Sequence, residues 1–117
     1  MPEAHVNMGF AMLGMERFGD ARGFFKQAVK LKPDQANAYY GLALASYNTG
    51  DMAVAIGALS SFIQLSHPDD PYVSGARAAL TDWRQVANRK LIVQSGNAPV
   101  ISPRVKKSPI GSAGEAP

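Results

Sequence analysis

The sequence predicts an all-α fold in which about five helices pack as antiparallel pairs into an α-solenoid. Two observations point to this fold, an internal repeat with a period of roughly 34 residues and apolar residues at helical spacing between capping and stop residues, and a concentration of prolines near the C-terminus indicates where the helices end. The 117 residues, of which 46% are hydrophobic, suit a single domain with one core. Such a composition excludes a chain that is disordered throughout.

The repeat becomes visible when the sequence is shifted along itself until Gly9 falls on Ala43. Small residues then coincide at two places where helices must approach closely, because Ala21 also falls on Ala55. The first unit reads His5-x2-Met8-Gly9-x2-Met12, then Ala21-x3-Phe25, Ala28 and Pro33, and the second reads Tyr39-x2-Leu42-Ala43-x2-Ser46, then Ala55-x3-Leu59, Phe62 and Pro68, after a slip of one residue. This pattern resembles two tetratricopeptide (TPR) repeats. The resemblance implies a right-handed superhelical solenoid whose first helices line a concave, partner-binding groove.

Local signals place each helix in turn. We expect helices over about residues 3–15, 17–31, 35–49, 52–66 and 71–92. Pro33 stops the second helix, and the N-caps of the last three are Asp34, Asp51 and Asp70. The fifth helix opens with proline and carries an apolar stripe, consisting of Val73, Ala76, Leu80, Trp83 and Ala87, opposite three arginines. It is similar to the helix that closes a TPR stack.

These helices define the expected domain organisation. Residues 1–92 form a TPR-like domain, with repeat 1 over about 2–35, repeat 2 over about 36–69 and a capping helix over about 70–92. Residues 93–117 are expected to be a disordered, basic tail rich in Pro, Gly and Ser, because four of the chain's eight prolines fall there. Most of the net charge of +3 comes from this tail, so the charge is weak evidence for a nucleic-acid surface.

The residues that could carry chemistry do not form a recognisable site. The absence of cysteine excludes disulfides and thiolate sites, and His5 and His67 are too far apart in sequence for a helical metal pair. Ser66, His67 and Asp69 are the residue types of a hydrolase triad, but neighbours in one turn cannot align as nucleophile, base and orienting group. We therefore predict no enzyme activity, no cofactor and no metal site. Without a leader or a membrane span, the default location is the cytoplasm.

The surface opposite the core-facing residues of the first and third helices is the expected partner-binding groove. It combines aromatic and apolar anchors with amides that can bond a peptide main chain. Its predicted residues are Glu3, Val6, Asn7, Phe10, Leu13, Asn37, Tyr40, Leu44, Tyr47 and Asn48, with Gly14 and Gly41 on the same side. Replacing Tyr40 or Tyr47 by alanine is expected to weaken binding more than folding. We predict a non-enzymatic module that binds a peptide or helix of a partner protein.

Several alternatives stay open. Phe10, Leu13 and Leu44 could instead pack between adjacent repeats. The first helix is apolar almost all round, which favours either a self-associating scaffold, a homo-oligomer formed through this helix, or a fragment of a longer TPR array. A row of Arg22, Lys26 and Lys30 on the second helix could attract the phosphates of a nucleic acid or an acidic protein, although a solvated outer face is the preferred interpretation and no nucleic-acid partner is expected.

Overall fold

Five helices form the part of the chain that the structure describes. The computed structural model describes residues 1–95, with side chains described for residues 1–90. The helices are α1 (Pro2–Gly14), α2 (Phe18–Leu31), α3 (Ala36–Asn48), α4 (Met52–Leu65) and α5 (Pro71–Ser95), and residues 1–95 contain no strand. The predicted all-α fold is confirmed.

The helices stack in chain order. Each helix contacts the next one along the chain, and α1 also contacts α3 directly. The connections contain three to five residues, so consecutive helices run antiparallel and form the pairs α1–α2 and α3–α4, with α5 packed on α4. None of the described helices is long and apolar enough to cross a membrane.

The turn inside each helix pair has the same geometry in both repeats. Glu16 has φ 58° and Gly50, its counterpart in the second repeat, has φ 85°. The next amide closes the turn in both cases: Arg17 N donates to Met12 O at 2.8 Å, and Asp51 N donates to Ser46 O at 2.9 Å. Glycine adopts this left-handed conformation freely, whereas an L residue such as glutamate is strained there by roughly 1–2 kcal/mol.

Two of the three predicted N-caps are confirmed. The carboxylate of Asp51 accepts from Val54 N at 3.2 Å, and that of Asp70 accepts from Tyr72 N at 2.8 Å. The prediction for Asp34 is wrong, because α3 begins at Ala36 and its N-cap residue is Gln35, without a side-chain cap. Asp34 lies inside a turn that Gln35 N closes on Lys32 O. The connection is instead held by the hydroxyl of Tyr39, which donates to the carbonyl of Pro33 at 2.7 Å.

The core centres on the ring of Phe25. This ring is fully buried between α1 and α3, where it faces two glycines. A Cβ atom added to Gly9 would lie 2.7 Å from the ring, and one added to Gly41 would overlap the ring still more closely. Gly41 is therefore buried at the contact between the repeats, and its expected position on the groove side is wrong. Ala21 and Ala55 are fully buried, as the repeat pattern predicts.

Helix α5 presents the predicted stripe to the core. Val73, Ala76, Leu80 and Trp83 are buried, Ala87 is partly buried, and Val86 also belongs to the buried face. The arginines at 77, 84 and 89 are exposed, as expected for an outer polar face. The helix continues to Ser95, beyond the predicted end of the domain at position 92. The rest of the predicted tail, residues 96–117, lies outside the described residues.

Candidate partner-binding face

The predicted partner-binding residues lie on α1 and α3, two helices that contact each other. We call this surface the α1–α3 face and define it by the residues predicted for the groove, without Val6: Glu3, Asn7, Phe10, Leu13, Asn37, Tyr40, Leu44, Tyr47 and Asn48. The prediction that Val6 belongs to the groove is wrong, because its side chain is only 3% exposed and belongs to the hydrophobic core. A partner cannot reach it without opening the fold.

The polar residues of the α1–α3 face are exposed. Glu3, Asn7, Asn37 and Asn48 are all open to solvent. Asn48 uses its amide N–H to donate to Leu44 O at 2.8 Å, which leaves its amide oxygen available. Within the described part of the chain, the amides of Asn7 and Asn37 form no hydrogen bond. Both are therefore able to bond the main chain of a bound peptide.

Three apolar residues of the face are half-buried. Phe10 and Leu13 pack against the core from α1, and Leu44 has intermediate exposure on α3. The ring of Phe10 meets that of Phe25 edge to face, with a centroid distance of 4.9 Å. Each of these side chains thus contributes part of its surface to folding and leaves part of it open.

Both tyrosines of the face pack against other aromatic rings. The ring of Tyr40 lies 5.0 Å from that of Phe62 and 5.6 Å from that of Tyr72. The ring of Tyr47 stacks on that of Trp83 at 4.6 Å and 14°. Both tyrosines thereby join α3 to α5. Replacing either by alanine should consequently lower folding stability, whereas the expectation from the sequence is that folding is less affected.

Burial also changes the ionisation of these two tyrosines. Burial raises the pKa of Tyr40, with a further contribution from the nearby Tyr72. Burial likewise raises the pKa of Tyr47, with a further contribution from the negative charge of Asp82. Burial therefore disfavours the phenolate form of both side chains, and this effect appears only at alkaline pH.

Tyr72 lies beside the α1–α3 face but is not among the residues predicted from the sequence. Its ring is 61% exposed in the first turn of α5, while one side of it rests on Tyr40. The signal was present in the one-residue slip that precedes Pro68. When the repeat offset is lengthened by that slip, Tyr72 falls at the position of Asn37, in the same row as the predicted binding residues.

The basic row of α2 is not uniformly solvated. Arg22 forms an ion pair with the carboxylate of Asp51, and its side chain is only 23% exposed. Lys26 and Lys30 are exposed. The pKa of Asp51 is lowered, first by the hydrogen bond from Val54 N and then by the guanidinium of Arg22. The expectation that Arg22 is a solvated surface residue is wrong, because Arg22 joins the first repeat to the cap of α4.

The residues that resemble a triad form only a local contact. Asp69 N donates to His67 Nδ1 at 3.1 Å, and both side chains are exposed. Ser66 Oγ is buried and takes no part in this contact. Among the described residues, no group of three His, Cys, Asp or Glu side chains could hold a metal ion.

Comparison with known proteins identifies the repeat. A family model for the tetratricopeptide repeat matches residues 12–80, which is more than half of the chain. The chain belongs to the tetratricopeptide repeat family. Comparisons with curated proteins and with solved structures gave no match.

The family match includes both helices of the α1–α3 face, α3 completely and α1 in part. The match begins within α1, includes α2, α3 and α4, and ends within α5. TPR repeats are a protein-interaction fold, so the chain is a protein-interaction module. The α1–α3 face belongs to the first helices of its two helix pairs.

Proposed function

We propose that this TPR domain is a non-enzymatic module that binds a peptide or a helix of a partner protein on the α1–α3 face, together with Tyr72. The observation that carries the proposal is the exposed ring of Tyr72, supported from behind by Tyr40. A ring fixed in this way loses little conformational entropy on binding, which is a property of interface anchors. Asn37 lies one helical turn from Tyr40 and offers a free amide.

The charge of the face defines the kind of peptide. Glu3 is its single charged residue, and α3 contains no charged residue at all. A partner segment with apolar side chains and few charges fits this surface best. The side chains would pack on the rings, while the exposed asparagines bond the main chain. Because few charges take part, binding should depend only weakly on salt.

A peptide-display library provides the probe. The intact chain is panned against the library, and the affinity of a selected peptide is measured by calorimetry for the wild type, Tyr72→Ala and Asn37→Ala. Tyr72→Ala should weaken binding by about 2 kcal/mol, as is typical of an anchor residue. The matched control is Leu65→Ala on α4, since Leu65 is also a large exposed apolar residue at 43% exposure. Equal affinities for Tyr72→Ala and the wild type would contradict the proposed site.

Folding and binding are separated by a second measurement on the same variants. Asn37 is exposed, so Asn37→Ala should leave the melting temperature nearly unchanged, whereas Tyr72→Ala should lower it slightly because the ring contact with Tyr40 is lost. A variant that loses affinity while keeping its melting temperature supports a binding face. Parallel loss of affinity and of thermal stability would show that these residues act through the core.

A nucleic-acid ligand has less support. The pairing of Arg22 with Asp51 removes one of the three cations of the α2 row. A salt titration with duplex DNA tests this alternative, because phosphate binding weakens steeply as salt rises. Self-association is the second candidate function, and the exposure of Met8 and Met15 on α1 favours it.

A further inference from the structure

An apolar stripe runs along α1 on a side that no described helix covers. Its five residues are all exposed: Met1, Ala4, Met8, Ala11 and Met15. The three methionines are 82%, 44% and 55% exposed. On a helix with 3.6 residues per turn, this spacing of three and four residues confines the stripe to an arc of about 80°. We call it the α1 stripe.

The second repeat shows what this surface does when it is covered. The repeat alignment places Ala4, Met8 and Ala11 on Ala38, Leu42 and Ala45 of α3. Those three are 0%, 7% and 0% exposed, and α2 of the preceding pair packs on α3. The α1 stripe is therefore the first repeat's copy of a helix-packing face, and its counterpart in the second repeat accepts an antiparallel helix.

We propose that the α1 stripe is a dimer contact, in which α1 of one copy packs antiparallel on α1 of a second copy. The residue types support a two-fold arrangement. The stripe reads Met-Ala-Met-Ala-Met in both directions, with Met8 at its centre. In an antiparallel pair centred on Met8, the two Met8 side chains meet at the centre. Met1 of one helix then lies level with Met15 of the other, and Ala4 of one lies near Ala11 of the other. Such a self-complementary surface is what a two-fold interface requires.

The two ends of the contact are complementary in charge. When α1 pairs with its copy about Met8, Glu16 of one helix comes level with the N-terminal end of the other. That helix end has no side-chain cap, and its free amides carry partial positive charge. The backbone of Glu16 is in the left-handed conformation, at the position where the second repeat has Gly50, and its side chain carries the carboxylate. Within α1 itself the charged residue is Glu3, which lies about 15 Å from its symmetry mate along the pair.

Other occupants fit less well. A head-to-tail stack would place the stripe against the outer side of α5, where Arg77, Arg84 and Arg89 are exposed. A helix like α2 would bring a ring equivalent to Phe25, which enters α3 only because Gly41 has no side chain. The equivalent position on α1 is Asn7, whose Cβ would block such a ring. A low-relief surface of alanines and methionines, such as the stripe itself, meets no such obstacle.

The size of the contact sets its strength. A 13-residue helix is about 20 Å long, so one helix pair buries less surface than a standard stable interface. We expect a reversible dimer that forms as the protein concentration rises. This inference concerns a surface other than the α1–α3 face, so the dimer and the peptide site can be lost independently.

The first test is sedimentation equilibrium of the full chain from low micromolar to near-millimolar concentration. The wild type should shift from monomer to dimer. Met8→Glu places two like charges at the two-fold axis and should raise the dimer dissociation constant by about tenfold or more. Leu65→Glu is the matched control, because Leu65 and Met8 have nearly equal exposure, 43% and 44%. It should dimerise like the wild type, and Met8→Glu should still bind the peptide selected on the α1–α3 face.

Two further variants identify the geometry. Mixing Met8→Glu with Met8→Lys should restore the dimer, since opposite charges then meet at the axis, whereas each variant alone should dimerise about tenfold or more weakly than the wild type. The chain has no cysteine, so Met8→Cys treated with oxidised glutathione should give a disulfide-linked dimer, and Leu65→Cys should not. A wild type that stays monomeric at every concentration, or a dimer that Met8→Glu leaves intact, would overturn the proposal. A dimer without charge rescue and without the Met8→Cys crosslink would also overturn it.

Discussion

At the residue scale, the ring of Phe25 determines how closely three helices approach. It lies between Gly9 of α1 and Gly41 of α3, and Phe10 packs against it edge to face. The two glycines are required for space rather than for backbone conformation, because neither has a positive φ. Gly50 is required for the opposite reason: its φ is positive and nothing lies within 4 Å of its Cβ position.

Substituting alanine at these glycines separates space from helix propensity. Gly41→Ala would put a methyl group in steric overlap with the ring of Phe25, which is fully buried. We expect it to lower the free energy of unfolding by about 1–3 kcal/mol, as overpacked cores do. Gly57→Ala, in an exposed part of α4 with open space around it, should raise the free energy of unfolding by roughly 0.5–1 kcal/mol. Urea unfolding followed by circular dichroism measures both changes, and equal effects would contradict this packing.

The ion pair between Arg22 and Asp51 makes a second residue-scale prediction. Arg22→Ala should lower the melting temperature by several degrees, because it removes a partner from a carboxylate that also caps α4. Lys26→Ala on the same helix should leave the melting temperature nearly unchanged, since Lys26 is exposed. In an Asp51→Asn background, Arg22→Ala should cost much less than in the wild type. Additive losses in this double-mutant cycle would show that the pair does not contribute to stability.

At the element scale, small residues determine how the helices of each pair meet. Ala55 on α4 is fully buried at the position where the repeat pattern requires a small side chain. Ala55→Leu should overpack the contact and lower the free energy of unfolding by roughly 1–3 kcal/mol. Ala53→Leu, two residues away on the exposed side of α4, is the control and should be nearly neutral. Thermal unfolding that is the same for both variants would argue against the repeat register.

Helix α5 also illustrates how one element serves two purposes. Its buried stripe covers the end of the stack, and its first turn brings Tyr72 to the ring of Tyr40 on α3. The stacking of Tyr47 on Trp83 fixes α3 and α5 to each other. The capping helix therefore supplies part of the proposed binding face in addition to closing the core.

At the scale of the whole molecule, the free energy of unfolding should be highest over a broad middle range of pH and should fall at both extremes. The lowered pKa of Asp51, below its ordinary 3.8, means that its contribution is complete above about pH 4 and is lost as the pH falls through the lowered value. The raised pKa values of Tyr40 and Tyr47, above their ordinary 10.0, act in the other direction. Their contribution is complete below about pH 10 and is lost as the pH rises through the raised values.

Urea unfolding from pH 2 to pH 12 tests these two limits separately. Asp51→Asn should flatten the acid side of the curve and leave the alkaline side unchanged. Tyr40→Phe keeps the ring but removes its ionisation, so it should make the alkaline side less steep, with the remaining decline due to Tyr47, and leave the acid side unchanged. If Asp51→Asn followed the wild-type curve on the acid side, and Tyr40→Phe followed it on the alkaline side, other groups would set the two limits.

The sequence by itself determined the helices, the repeat and the family. These features depend on local spacing: capping residues such as Asp51 and Asp70, small residues that recur at the repeat period, and an apolar stripe on α5 all act within one or two helices. The wrong N-cap prediction for Asp34 has a local cause too. Asp34 lies within the turn from Lys32 to Gln35, so the N-cap of α3 is Gln35, one residue later.

Only the tertiary structure decided which side chains of α1 and α3 are available to a partner. Val6 and Tyr40 are equivalent in the repeat, yet one is buried in the core and the other is half-buried beside Tyr72. Neither the pairing of Arg22 with Asp51 nor the entry of Phe25 at Gly41 can be deduced from helical spacing, because each joins residues on different helices. The physical reason is that periodicity fixes the face on which a residue lies, whereas exposure depends on which other helix covers that face.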